Sequence, residues 1–347
     1  MNIIRLLKSF FCSDIAIDLG SDNTLIYVKD EGLLVNEPSL VAIKEIYPEK
    51  QFLQYGSEAQ KLIGKTPQGI KVIKPIEKGV IKELYATEAM VEHFMSIVNE
   101  NGFLKPSPKV LVAIPSTISE VERKAVEDAV YNAGAREVMF VKQGIASAIG
   151  AGIDINSTTP SCILDMGAET TEIAVVASGG TVYSKTFEIG GLDLSLSIED
   201  LILEKHNIKI GLENAEKLKK NLGTLVRESL DKREKMVIQG KDVVRNRPVT
   251  VEVNQIEVYT GMFTPVTKLL ESIDEVLENL PAETVAGLYQ NGITMVGGSS
   301  KLNGLDKLIS EYIGVRTNVA NDPTTCAILG CGKLLEEDAS YNDFEDE

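Results

Sequence analysis

The sequence predicts an α/β protein built from two duplicated domains facing each other across a cleft. Three observations point there. The stretches IAIDLGSDNTLIYV (15–28) and CILDMGAETTEIAVV (162–176) share one plan: apolar strand, Asp-x-Gly, polar turn, second apolar strand. Each copy is followed by strands and helices in similar order, as expected of an internal repeat. A third glycine turn, Gly297-Gly298-Ser299-Ser300, ends the apolar run ITMV.

Along the chain, SDIAIDLG (13–20) and TLIYVKD (24–30) form a buried hairpin. The segment 31–72 is small and rich in turn residues, among them Asn36-Glu37-Pro38 and Pro67-Gln68-Gly69. Its LIGKT is not a P-loop, because Ala59 stands where the first glycine must be. A helix is expected over 83–100, then the loop NGFLKPSP, the strand KVLVAIP (109–115) and a helix from Ser119, with Glu122 completing a capping box. GAREVMFV reads as a strand and QGIASAIGAG as a helix start of small residues. CILDMG and EIAVVASGG form the second hairpin, and 195–240 reads as helical and highly charged. VTVEVNQIEVY returns to strand, a helix runs near 263–279, and NGITMVGGSSKL is a strand entering the Gly-Gly turn.

With 347 residues, 51 acidic and 35 basic, the chain has a formal charge of −16, which argues against general nucleic-acid binding. Its four cysteines form no CxxC pair and no metal-ligand spacing with His93 or His206, so they read as buried free thiols. No apolar run approaches the roughly 18 residues of a spanning helix. MNIIRLLKSFF is not a signal peptide, since Arg5 and Lys8 interrupt it and no small-residue cleavage site follows. Ile3, Ile4, Leu7, Phe10 and Phe11 fall on one helical face beside those cations, which suits an interfacial helix on anionic lipid or a helix docked on the protein itself.

A polyphosphate held between two hairpins needs backbone N–H donors and close approach, hence glycine and small polar residues in the turns. Gly20, Ser21, Asn23 and Thr24 serve the first turn, and Gly167, Thr170 and Thr171 the second. Magnesium needs carboxylates, usually reached through water. Asp18 and Asp165 end their strands where such an ion would sit.

The segments DLGSDNTLIYV, NEPSLVAI, KPIEKGVI, VAIPSTISEVERKAV, AGAREVMFV, AIGAGI, TTEIAVVASGG, VGGSSKLNGLDKLI and NDPTTCAILGCGKLLEE resemble, in order, the signature segments of the MreB family of bacterial actins. The resemblance covers about 1–337. It implies an α/β actin-like fold of two duplicated ribonuclease H-like domains, each with a smaller inserted subdomain and with a nucleotide cleft between them, ATP with Mg2+, and self-assembly into membrane-bound double filaments that control cell shape. By it, domain IA falls at 12–30, 73–145 and 320–337, IB at 31–72, IIA at 146–184 and 250–319, and IIB at 185–249. A membrane-contact segment 1–11 precedes them and an acidic disordered tail 338–347 follows. The adenosine pocket falls on Glu216, Lys219, Gly297, Gly298 and Ser299, although Glu216 and Lys219 by themselves read equally as a solvated i,i+3 pair. The tip Phe103-Leu104 resembles the family's membrane-inserting loop. Sister MreB-type proteins are possible partners.

The chain departs from the family at the chemistry. The family reads Glu-Glu-Pro where this sequence has Lys142-Gln143-Gly144. Gln143 takes the place of the glutamate that orients the attacking water, and glutamine cannot accept its proton. Where the family has three glycines, this chain has Gly167-Ala168-Glu169, placing bulk and charge against a γ-phosphate. Gln143, Thr171 and Asp165 are therefore the catalytic positions of a site expected to hydrolyse ATP weakly or not at all. A fully active ATPase filament is the alternative, and a small-molecule kinase of the same fold a remote one. Leu192 and Ser195 stand where acids are frequent, and nothing in the sequence explains them.

Overall fold

The computed structural model describes residues 14–46, 49–98 and 107–337. The expected membrane-contact residues Ile3, Ile4, Leu7, Phe10, Phe11, Phe103 and Leu104 lie outside these, as does the acidic segment 338–347.

Two five-stranded sheets repeat one strand order. In the first, the order is Glu137–Lys142, Lys109–Ile114, Ile15–Leu19, Asn23–Val28, Gly32–Pro38. The central strand pairs antiparallel with its hairpin partner and parallel with Lys109–Ile114. The second, taken from its other edge, runs Thr317–Val319, Ile293–Val296, Ser161–Met166, Thr171–Ala177, Gly180–Phe187. Its central strand again opens the hairpin and pairs parallel with Ile293–Val296. The two halves of the sequence echo thus occupy equivalent central positions. Every residue of Ser161–Met166 and Thr171–Ala177 is buried, so both strands are covered on both faces; their apolar stretches Cys162–Leu164 and Ile173–Ala177 are flanked by the buried polar residues Ser161, Asp165, Thr171 and Glu172.

The chain divides into two compact units, one from Met1–Ser157, Val176–Ser184 and Thr325–Glu347, the other from Thr158–Val175 and Lys185–Thr324. In the first, Ile15, Ile17, Ile26, Val110 and Val112 pack against Met90, Phe94 and Val126 of the helices Leu84–Val98 and Glu120–Asn132. Ser119 caps the latter helix: its hydroxyl accepts from Glu122 N at 3.3 Å, and Glu122 Oε2 accepts from Ser119 N at 2.9 Å. The helices Gln143–Gly150 and Cys326–Glu336 cross at backbone contact. A Cβ on Gly150 would fall onto the Cys326 carbonyl, and one on Gly330 onto the Ala146 carbonyl. No helix among the described residues is long and apolar enough to cross a membrane.

Within the turn-rich segment 31–72, Val41–Ile46 pairs both Glu49–Tyr55 and Ile70–Ile73. Two expected elements come out differently. The run 195–240 is α-helical over Gly191–His206 and Leu212–Leu222, with a short 3-10 turn at Arg227–Ser229; Lys235–Asp242 is a strand antiparallel to Arg247–Asn254. The strand expected to continue through Tyr259 stops at Asn254, and the helix Gln255–Asn279 begins at once. Asn254 Oδ1 accepts from Glu257 N at 3.1 Å and Glu257 Oε2 from Asn254 N at 2.8 Å. This capping box outweighs the strand propensity of Ile256, Val258 and Tyr259.

Candidate nucleotide site

Each Asp-x-Gly turn is closed by the same bond. Gly20 N donates to Asn23 O at 3.1 Å, and Gly167 N to Thr170 O at 2.9 Å. At Gly20 the glycine is required by space, since a Cβ would lie 2.7 Å from the backbone oxygen of Asn23; at Gly167 a Cβ would make a tight contact of 3.2 Å with Thr170 O.

In the first unit the turn is braced from below. Ser39 Oγ donates to Gly20 O at 2.6 Å and lies 2.9 Å from Thr24 Oγ1, both hydroxyls being buried. Asn23 Nδ2 donates to Asn36 Oδ1 at 2.6 Å. Ser21 Oγ accepts from Gly79 N at 3.0 Å, seating the tight turn Lys78-Gly79 against it; both of that turn's residues have positive φ, 52° and 76°. Of the predicted first-turn residues, Thr24 and Asn23 brace the turn, while Gly20 and Ser21 form it. Asp18, one residue from the end of Ile15–Leu19, is half-buried. Gln143 is the first residue of Gln143–Gly150, at the end of the parallel strand Glu137–Lys142, and is half-buried. Strand ends of this kind carry the ligand sites of open α/β sheets.

In the second unit the predicted residues converge. The 167–170 turn rests on the start of the helix Gly191–His206, where Gly191 N donates to Gly167 O at 3.1 Å and Leu192 N to Ala168 O at 2.7 Å. A Cβ on Gly190 would strike the Ala168 carbonyl. Ser299 Oγ donates to the same Gly167 O at 2.8 Å, tying the third glycine turn to the second. Gly297 has φ 82°, and a Cβ there would meet the Met166 carbonyl and lie 2.7 Å from Asp165 Oδ1. Only glycine suits both conditions. Gly298 has open space around it, its nearest neighbour being Thr324 Cγ2 at 3.8 Å. Asp165 is buried at the end of its strand. Thr171 is fully buried and its hydroxyl donates to Ile189 O at 2.6 Å, so that proton is committed to bracing the hairpin.

Glu216 and Lys219, on the helix Leu212–Leu222, face this turn system. Lys219 Nζ bonds Glu216 Oε2 at 2.6 Å and Gly191 O at 2.6 Å. Burial pushes the Glu216 carboxyl up, but hydrogen bonds from Lys219 and Ser195 and the charges of Lys219 and Lys220 outweigh it and hold the group below the usual carboxylate range. The pair is therefore ionised, anchored and part-buried rather than a solvated surface pair. A Cβ on Gly191 would displace the Ser299 hydroxyl and stand 3.2 Å from Lys219 Nζ, so glycine here keeps both tips in place. The result is a small-residue floor, formed by Gly167, Gly191 and Ser299, beside one carboxylate and one ammonium.

Ala168 and Glu169 both keep negative φ. Their substitution for glycine thus costs no backbone strain, and the departure acts through side-chain bulk and charge alone. Sequence reasoning missed Gly190, Gly191 and the buried Ser300, whose hydroxyl donates to Gly297 O at 2.6 Å. The Gly-Gly pair before a helix was the available signal for the first two.

The family model for MreB/Mbl protein matches residues 12–343. The chain is 35% identical to the cell shape-determining protein MreB of Escherichia coli (strain K12) over 336 residues, covering 96% of each chain. It belongs to the MreB/Mbl family. A second family relative, the cell shape-determining protein Mbl of Bacillus subtilis (strain 168), is 34% identical over 326 residues, covering 94% of this chain and 96% of Mbl. The crystal structure of MreB 5 of Spiroplasma citri bound to AMPPNP superposes with a TM-score of 0.88 at 30% identity, over 95% of this chain and 98% of that one. The fold is accordingly the actin-like fold of this cytoskeletal family, as the ordered motifs predicted.

Proposed function

We propose that the protein binds ATP with Mg2+ and polymerises into filaments that lie on the inner face of the cell membrane and govern cell shape, with ATP hydrolysis weak or lost. The observation that carries the nucleotide reading is the convergence of Glu216, Lys219, Gly191 and Ser299 on the Gly167 turn. A floor of glycine and serine admits a flat ligand or a phosphate chain at van der Waals distance. The AMPPNP carried by a family relative of the same fold supports the same ligand class here.

In this reading the turns at 20–24 and 167–170 contribute amides to the phosphates, Glu216 and Lys219 take the ribose, and Gly297, Gly298 and Ser299 border the base. Asp18 and Asp165 would hold the magnesium, since two carboxylates suit an ion which retains several waters and adds substrate phosphates rather than a full protein cage, and it would supply neutralisation of phosphate charge. Gln143 orients water but cannot take its proton, and Glu169 sets a negative charge beside the phosphate turn. Binding therefore survives while turnover falls.

Filament contacts lie on surfaces away from the turn at 165–172, so assembly does not require hydrolysis. Negative-stain images in ATP and in AMPPNP should both show filaments, and monomers alone at micromolar concentration in either nucleotide would refute the assembly. Attachment rests on segment 1–11 and on Phe103 and Leu104, whose neighbour Lys105 suits anionic headgroups. Deleting 1–11 together with Phe103→Ser and Leu104→Ser should abolish pelleting with anionic liposomes.

A further inference from the structure

We propose that Ser195 is a positioning residue that fixes one oxygen of the Glu216 carboxylate so that the other reads a ribose hydroxyl of the nucleotide. The inference rests on the nucleotide reading above and assigns a function to a residue the sequence left unexplained.

Ser195 lies one turn into the helix Gly191–His206 and is fully buried. The ordinary fate of a mid-helix serine is a bond back to the carbonyl four residues earlier. Here that contact, to Gly191 O, is long at 3.2 Å, while Ser195 Oγ stands 2.6 Å from Glu216 Oε2 on the neighbouring helix. Gly191 O already receives the Lys219 ammonium at 2.6 Å. A hydroxyl has one proton, and a charged acceptor at 2.6 Å takes it in preference to a neutral one at 3.2 Å.

Glu216 Oε2 thus accepts from both Ser195 and Lys219, whereas Oε1 has, among the described residues, a single contact, Lys220 at 3.2 Å. The Lys220 side chain is 71% exposed and that of Glu216 34%. An ionised carboxylate has about four acceptor sites. Locking Oε2 from the buried side fixes the plane of the group and leaves Oε1 turned outward with acceptor capacity remaining. Lys219 alone, a single flexible ammonium, sets a distance but not that plane; a second donor on a different helix sets both. A carboxylate held in this way suits a neutral hydroxyl donor such as a ribose and repels a phosphate.

The experiment compares dissociation constants for ATP, 2′-deoxyATP and 3′-deoxyATP in the full chain, for wild type, Ser195→Ala and Ser195→Thr. The wild type should prefer ATP over at least one deoxy analogue. Ser195→Ala should cut that preference by roughly 5- to 10-fold, the order expected when a hydrogen bond with a charged partner is made poorly. Ser195→Thr, which keeps the hydroxyl, should restore it. A merely structural serine would weaken all three nucleotides together and leave the ratio unchanged. An unchanged ratio in Ser195→Ala, or a wild type that binds ATP without discriminating either analogue, overturns the proposal. A wild type that binds none of the three removes the nucleotide reading itself, and the proposal with it.

Discussion

The hydroxyl of Ser299 donates to the carbonyl of Gly167 at 2.8 Å, linking two turns that lie 132 residues apart in the chain. The same carbonyl accepts from Gly191 N at 3.1 Å, so one oxygen gathers the phosphate-type turn, the third glycine turn and a helix start. Ser299→Ala should leave the fold intact, lower stability by about 1 kcal/mol and weaken ATP binding several-fold, the usual scale for one hydrogen bond. A fluorescent-nucleotide titration beside urea unfolding checks both.

Gly191→Ala should disturb two contacts of the site at once. The added methyl meets Ser299 Oγ and stands 3.2 Å from Lys219 Nζ, side-chain tips that can turn aside, so the fold should hold while both leave the positions that shape the floor. A several-fold loss of ATP affinity is expected, the scale of the hydrogen bonds given up. Calorimetric titration showing wild-type affinity would mean that the nucleotide sits elsewhere.

Gly330→Ala tests the helix crossing beneath Gln143. Its Cβ would land on the Ala146 carbonyl, and backbone cannot give way as a side-chain tip does. Stability should fall by about 1–3 kcal/mol in chemical denaturation.

Glu257 gives a pH dependence of definite sign. Its carboxylate is buried, which raises its pKa, but Asn254 N, Lys205 at 2.6 Å and His206 at 2.8 Å hold it below the ordinary value of 4.5. A depressed folded-state pKa contributes stability above the unfolded value and loses it as pH falls through the folded one. Glu257→Gln should therefore cost about 1–3 kcal/mol at pH 7, with the gap to wild type narrowing below pH 4.5. A constant gap from pH 7 to pH 3.5 would show that the charge is immaterial.

Much of this architecture is legible in the residues. An apolar run ending in Asp-x-Gly specifies a covered strand and a tight turn, and both copies fold so, each closed by the glycine N–H on the carbonyl three residues on. Ser119 and Glu122 announce their helix because the capping box is local. The run through 249–259 misleads because VTVEV and IEVY both suit a strand, while the decisive Asn254–Glu257 pair is only two residues in the middle. The strand at 235–242 hides among charges because Lys235 and Lys241 flank the exposed Val237, masking the alternation. Ser195 could not be read at all: its partner lies 21 residues away on another helix, and no local rule connects them.

The central claim is that nucleotide is held while its hydrolysis is impaired by Gln143 and Glu169. Steady-state phosphate release tests it most directly, measured on wild type, Gln143→Glu, Glu169→Gly and the pair, with ATP affinity determined on the same samples. The account predicts slow release from wild type, a small gain from each single change, and a gain of ~10²-fold or more from the pair, since a water-orienting base helps only when the phosphate is seated. Affinity should change less than turnover, because Glu216, Lys219 and Ser299 are untouched. A wild type that already releases phosphate as fast as the double variant would contradict the account and make the protein an ordinary ATPase.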